Sequence, residues 1–169
     1  MTTKTNRFSF LCICLCFCLA FFACNPTGNQ SPTKGIGYHL SADKTCAEVI
    51  WYDGTEGDVV IASVYEGVPV TTILYRAFAF NKVVTSVIIP NSVTFIDENA
   101  FAGCLNLTTI TIPASVTFMG YKVFLSCSSL TEIVFKGTVE QWNSMTKDIE
   151  WKGDAPVKQV KCSNGQVAI

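Results

Sequence analysis

Val84-Thr-Ser-Val-Ile-Ile-Pro-Asn-Ser-Val-Thr-Phe-Ile-Asp-Glu-Asn-Ala-Phe-Ala-Gly-Cys-Leu-Asn106 is followed without a gap by Leu107-Thr-Thr-Ile-Thr-Ile-Pro-Ala-Ser-Val-Thr-Phe-Met-Gly-Tyr-Lys-Val-Phe-Leu-Ser-Cys-Ser-Ser129. Set one above the other at a period of 23, the two stretches share apolar positions at Val84/Leu107, Val87/Ile110, Ile89/Ile112, Val93/Val116, Ile96/Met119 and Phe101/Phe124. Pro90/Pro113 and Cys104/Cys127 coincide as well. A fixed period of this length marks stacked units, each too small to bury its apolar face alone.

The pattern runs past the two full copies. Val70, Ile73, Ala77, Phe78 and Asn81 match Val93, Ile96, Ala100, Phe101 and Cys104, while Leu130, Ile133 and Phe135 begin another copy, giving about three and a half units. Each copy opens on L-x-x-I-x-I, a short strand with alternate residues pointing inward, and a proline that cannot donate to a ladder ends it. Such strands stack in parallel, about 4.8 Å apart, so that inward residues form columns. The Ala-Phe pair eleven residues past the proline supplies the opposite wall of the core.

These residues resemble the BspA-like, treponemal-type leucine-rich repeats, whose unit reads roughly L-x-x-I-x-L-P-x-S-L-x-x-I-g-x-x-A-F-x-x-C-x-x. The agreement is direct over 84–135 and looser over 58–73, which looks like the family's N-terminal leading segment; 135–142 and the stretch to Cys162 look like its C-terminal ending. The fold expected is mainly β with short helical or irregular segments, a leucine-rich-repeat solenoid capped at both ends.

The caps have local signatures. Thr138-Val-Glu-Gln141 is a capping-box start for a short helix that would lay Val139, Trp142 and Met145 over the last unit. Asn164-Gly165 marks a tight turn. Tyr38 to Tyr52 and Asp58 to Tyr65 read as strands parted by turns at Asp53-Gly54 and Glu56-Gly57. The expected division is a signal peptide at 1–23, a tether at 24–35, N-terminal cap strands at 36–69, repeats at 70–135 and a C-terminal cap at 136–169.

Residues 8–23 are almost wholly apolar and follow a polar start with Lys4 and Arg7, the layout of an export signal and too short to span a membrane. Leu19-Ala20-Phe21-Phe22-Ala23-Cys24 resembles a bacterial lipoprotein signal, which implies acylation of Cys24; an ordinary signal peptide cut nearby is the alternative. The polar run 25–35 would then be a tether with a reach of about 18 Å. The localisation expected is an exported lipoprotein on the cell surface or outer membrane, or else a periplasmic or secreted protein.

Of nine cysteines, Cys12, Cys14, Cys16, Cys18 and Cys24 fall in or just after the apolar run, which excludes a zinc reading for them. Cys104 and Cys127 share a repeat phase and read as small buried hydrophobes. Whether Cys46 pairs with Cys162 stays open. Losing 1–23 removes two of the 12 basic residues and none of the 13 acidic ones, leaving a net charge of about −3 with no basic cluster, which argues against nucleic acid.

The one histidine, His39, has no neighbour in sequence suggesting a nucleophile or metal, and Asp97-Glu98 is matched by Gly120-Tyr121 in the next copy, as a solvated turn would be. The sequons at Asn29 and Asn106 bear on a eukaryotic exporter alone. No enzyme, metal or cofactor is expected. What remains is the outward strand face, with rows Ser86/Thr109/Glu132 and Ile88/Thr111/Val134. The face is low in charge and without aromatic anchors, and a plain Thr-rich solvated surface would look the same. The resemblance implies a partner-binding face that adheres to host matrix or other cells; an envelope assembly module with no host ligand is the rival expectation.

Overall fold

The computed structural model of the protein describes residues 31–169, and Ser31–Ile169 form one compact unit. The export signal, Cys24 and the Asn29 sequon lie outside the described residues.

The chain winds in rungs with two hydrogen-bonded sides. The first is a parallel ladder of β3 (Asp58–Val60), β6 (Ser86–Ile88), β8 (Thr109–Ile112), β10 (Glu132–Phe135) and β12 (Gln159–Cys162), closed by antiparallel β13 (Gly165–Ala168). Its register steps by 23, Ser86 facing Thr109 and Thr109 facing Glu132, so the expected L-x-x-I-x-I strands stand where the period puts them. The stack is longer than the three and a half units visible in the sequence: β3 completes the first rung, whose later part carries Ala77-Phe78-Ala-Phe-Asn81, and β12 adds a rung at the C-terminal end without an Ala-Phe-x-x-Cys signature.

The second side was not foreseen. Here β5 (Val68–Ile73), β7 (Phe95–Ile96), β9 (Phe118–Met119) and β11 (Thr146–Lys147) run parallel; β2 (Ala47–Tyr52) extends them, and β1 (Ile36–Leu40) pairs antiparallel with β2. Strands of two residues leave almost no alternation to read. The cap strands differ from expectation too. Tyr38–Tyr52 is a hairpin of β1 and β2 rather than one strand, while Asp58–Tyr65 divides into the rung strand β3 and β4 (Val64–Tyr65), which pairs with Val68 and Pro69 of β5. Cys162 pairs with Gly165, so the last tight turn is Ser163-Asn164, one residue earlier than expected.

Between the sides runs a turn segment whose amides alternate their partners. Phe78 and Phe80 donate to Ala100 and Ala102 of the next rung, whereas Ala77 and Ala79 donate to Leu74 and Arg76 of their own. The pattern repeats at Phe101 and Gly103, and at Ala102 and Cys104. It satisfies backbone groups that would otherwise be buried and orphaned, but it forces left-handed φ in two columns, Arg76/Asn99/Lys122 and Phe80/Gly103/Ser126.

Inside, Phe78, Phe101 and Phe124 stack with centroids 4.9 and 5.8 Å apart, Tyr52 extending the column by 5.6 Å at one end and Trp151 by 6.1 Å at the other. All three phenylalanines are buried. The capping box forms as expected: Gln141 N–H donates to Thr138 Oγ1 at 3.3 Å and Thr138 N–H to Gln141 Oε1 at 2.8 Å, starting α1 (Val139–Ser144). Trp142 and Met145 are buried, Val139 only half so. The Lys147 ammonium donates to the Trp142 and Met145 carbonyls at 2.5 and 2.8 Å, placing a cation at the negative end of the helix; desolvation there holds its pKa below the usual lysine range. At the opposite end, Thr33 covers the free edge of β3, its N–H donating to Val60 O and its Oγ1 accepting from Val60 N–H.

Candidate functional site

The six strand-face residues come together as two in-register rows on the first sheet. One row is Asp58, Ser86, Thr109 and Glu132; the other is Val60, Ile88, Thr111, Val134 and Lys161. The inward columns, Val59/Val87/Ile110/Ile133/Val160, are buried, while Ser86, Ile88, Thr109, Thr111, Glu132 and Val134 are half-exposed. Packing beneath each strand fixes its pleat, so this face is held rigid by the core.

Its charges lie at the ends. The Asp58 carboxylate accepts from Ser86 Oγ at 2.7 Å and Thr85 Oγ1 at 3.2 Å. Glu132 accepts from Lys161 Nζ at 2.5 Å and from Thr109 Oγ1 at 3.5 Å, and the Lys161 contact, first among its causes, lowers its carboxyl pKa. Ile88 and Thr111 form a neutral centre. Beside them Thr108 Oγ1 donates back to Thr85 O at 2.9 Å, so that hydroxyl serves the stack itself.

Other candidates resolve into structural roles. Cys104 Sγ donates to Phe78 O at 3.0 Å and Cys127 Sγ to Phe101 O at 3.1 Å, each bridging neighbouring rungs, and burial pushes both thiols up to about 12. They are the buried small hydrophobes their shared phase implied. Cys46 precedes β2 and Cys162 ends β12, about five strand spacings or roughly 24 Å apart. A disulfide needs Cα atoms within about 7 Å, so the two do not pair within one chain. His39 Nδ1 lies 4.0 Å from Glu48 on the exposed face of the β1–β2 hairpin. Asp97 accepts from the Glu98 N–H, as a turn residue does.

Sequence reasoning passed over the aromatic pair of the second sheet. Phe95 and Phe118 face outward, half-exposed, stacked 4.6 Å apart with planes 6° from parallel. Their spacing of 23 could have disclosed them, since both copies read Val-Thr-Phe.

The comparisons agree with this geometry. The sequence pattern of the BspA type leucine-rich repeat region, in six copies, matches residues 62–146. A leucine-rich repeat protein of T. pallidum superposes with a TM-score of 0.59 at 28% identity, over 66% of this chain and 56% of its own. A leucine-rich cell surface protein from Faecalibacterium prausnitzii gives 0.58 at 29% identity, over 79% and 43%. A leucine-rich repeat protein from Bacteroides capillosus, at 23% identity and 0.64, shares the fold over 79% of this chain and 97% of its own. The chain thus spans little more than half the length of the treponemal protein. The comparison with curated proteins gives no match. Rung register, buried columns and the matched repeats together place the chain in the BspA-type leucine-rich repeat family.

Proposed function

We propose that this protein is an exported, membrane-anchored scaffold whose first sheet engages another protein, in adhesion to host matrix or to other cells. The observation that carries the reading is the outward face itself: a neutral centre at Ile88 and Thr111, held in register by packed rungs, with polar groups at its ends. Depletion of charge at the centre and polarity at the rim is the composition of a protein interface. A structural neighbour described as a cell surface protein supports the location. The rungs offer a patch near the lower limit for a stable complex, so the binding proposed is weak singly and strengthened by many anchored copies.

Thr111→Arg puts a long charge at the centre of the patch. Measured as binding of the exported chain to an array of immobilised extracellular-matrix proteins and fixed bacterial cells, it should cost at least about tenfold, or some 1.4 kcal/mol. Unchanged binding would remove the face from the site. The anchor has a separate check: with Cys24→Ser, metabolic acyl labelling and membrane association should both disappear, and their persistence would sink the lipid reading. Protection of the domain from protease on intact cells, lost once the envelope is breached, would make it an envelope module instead of an adhesin.

A further inference from the structure

The outer face of the β1–β2 hairpin presents a tryptophan that the strand alternation alone would bury. Ala47 and Val49 of β2 point into the core, and continued alternation would send Trp51 after them. The register slips instead. Tyr38 faces Val49 while Gly37 faces Trp51, so Ile50 is an extra residue, and this bulge turns the indole outward. Re-aiming a side chain is the usual effect of a bulge, and bulges concentrate beside functional sites.

The indole then lies flat. A Cβ at position 37 would fall 2.3, 2.6 and 2.7 Å from Trp51 Cε2, Cδ2 and Nε1, so the ring rests on bare glycine backbone. With one face seated there, Trp51 is still 53% exposed, and among the described residues no other ring and no cation stacks on it. Polar groups stand at both ends of this platform. Asp53 lies over Gly35, whose carbonyl accepts from the Asp53 N–H at 3.1 Å. Two residues from Gly37 along β1, about 7 Å, His39 stands opposite Glu48 with Nδ1 4.0 Å from its carboxylate. His39 also lines an open groove of about 610 Å³ with Leu40, Lys44, Tyr65 and Glu66.

We propose that this face binds a glycan, with Trp51 as the platform for a gluco-configured pyranose and the groove past His39 holding the units that follow. The site lies on the second sheet and does not depend on the reading of the first. A ring lying flush with the backbone cannot insert into a partner's pocket, as the anchors of protein interfaces do; it can only be stacked upon. The C–H face of a pyranose stacks in that way, and its hydroxyls then lie in the plane of the rim. Hydroxyls both donate and accept, and the rim offers both kinds of partner: Asp53, Glu48 and Glu66 accept, and Lys44 and a ring nitrogen of His39 donate. The charges around the hairpin are mixed in sign, Lys34, Lys44 and Arg76 against Asp43, Glu48, Asp53, Glu56 and Glu66, as suits a neutral ligand rich in hydroxyls.

The test titrates the full chain with cellopentaose and chitopentaose, read by calorimetry and by tryptophan fluorescence. At least one of them should bind with a dissociation constant of about 1 mM or tighter, shifting the emission. Trp51→Ala should weaken that binding at least about tenfold, and Trp51→Tyr, which keeps a platform, should stay within a few fold while losing the emission change. Gly37→Ala keeps the tryptophan but fills its seat, so it should bind about as weakly as Trp51→Ala. Thr111→Arg, on the other sheet, should bind the sugar normally, and affinity should change less than about twofold between 50 and 500 mM salt. No binding of either sugar by the wild type would overturn the proposal. So would a lower melting temperature in Trp51→Ala with sugar binding intact, which would make the indole a cover for Gly37 and nothing more. Trp51-dependent binding of an arginine-rich peptide in place of either sugar would overturn it in favour of a cation site.

Discussion

Phe101→Ala should lower the free energy of unfolding by about 3–5 kcal/mol, the range for a large aromatic removed from a packed core. Phe101 is fully buried and is the middle member of the Phe78–Phe101–Phe124 column, with rings on both faces. The void would therefore be bounded by two rigid rungs whose spacing is fixed by hydrogen bonds, Phe101 N–H to Val123 O at 3.0 Å and Phe78 N–H to Ala100 O at 2.8 Å. Neither rung can close on it. A domain stable by only about 5–15 kcal/mol would lose a large share of its margin. Urea denaturation followed by circular dichroism measures the loss, with Phe95→Ala as the control. Phe95 is also stacked, 4.6 Å from Phe118, but it is half-exposed on the outer face of the second sheet, so its truncation should cost much less. Equal losses in the two variants would mean that the buried column is not what holds the rungs together.

That contrast also shows how far the sequence could be read. Phe101 was legible because three signals coincide at it: the period of 23, the preceding Ala100, and the Cys three residues on, whose thiol donates to the preceding rung's backbone. The first sheet was legible for a similar reason, since L-x-x-I-x-I alternates long enough to reveal which residues point inward. The second sheet was not, because its strands are two residues long and are held by pairing across rungs, not by a pattern within one. β3, whose Asp58-Val-Val-Ile carries the inward columns, was legible as a strand of the looser leading segment, but its register with β6 was not, because the β4–β5 hairpin inserted after it breaks the period. As for the site, the two rows were placed residue by residue from the alternation. The outward stack of Phe95 and Phe118 was not placed, because strands of two residues show no alternation from which to tell an outward side chain.

Trp142→Ala should be the most damaging change at the C-terminal end, with a cost of about 3–5 kcal/mol that falls on the cap before it reaches the middle of the stack. Trp142 is buried between Phe135 of the last repeat strand, 5.3 Å away, and Trp151 of the following loop, 5.6 Å away; both contacts are edge-to-face. It is the buried residue of a six-residue helix, far too short to persist on its own. Removing the indole takes away the surface on which α1, Trp151 and the Lys147 ammonium all rest, the last lying 5.0 Å from the ring. With the cap loosened, Leu130, Ile133 and Phe135 become the open end of a solenoid, an apolar face that invites association. Stability in a repeat stack is carried mainly by contacts between neighbours, so the loss should spread from the end inward. Amide exchange would show it as faster exchange at Lys136, Trp142 and Asp148 than at Gly103 and Leu107, whose bonds lie in the middle rungs. Thr138→Ala, which removes the capping hydroxyl but leaves the indole in place, should cost only about 1 kcal/mol. If Trp142→Ala instead accelerates exchange uniformly from end to end, the fold is a single cooperative block and the cap has no separate role.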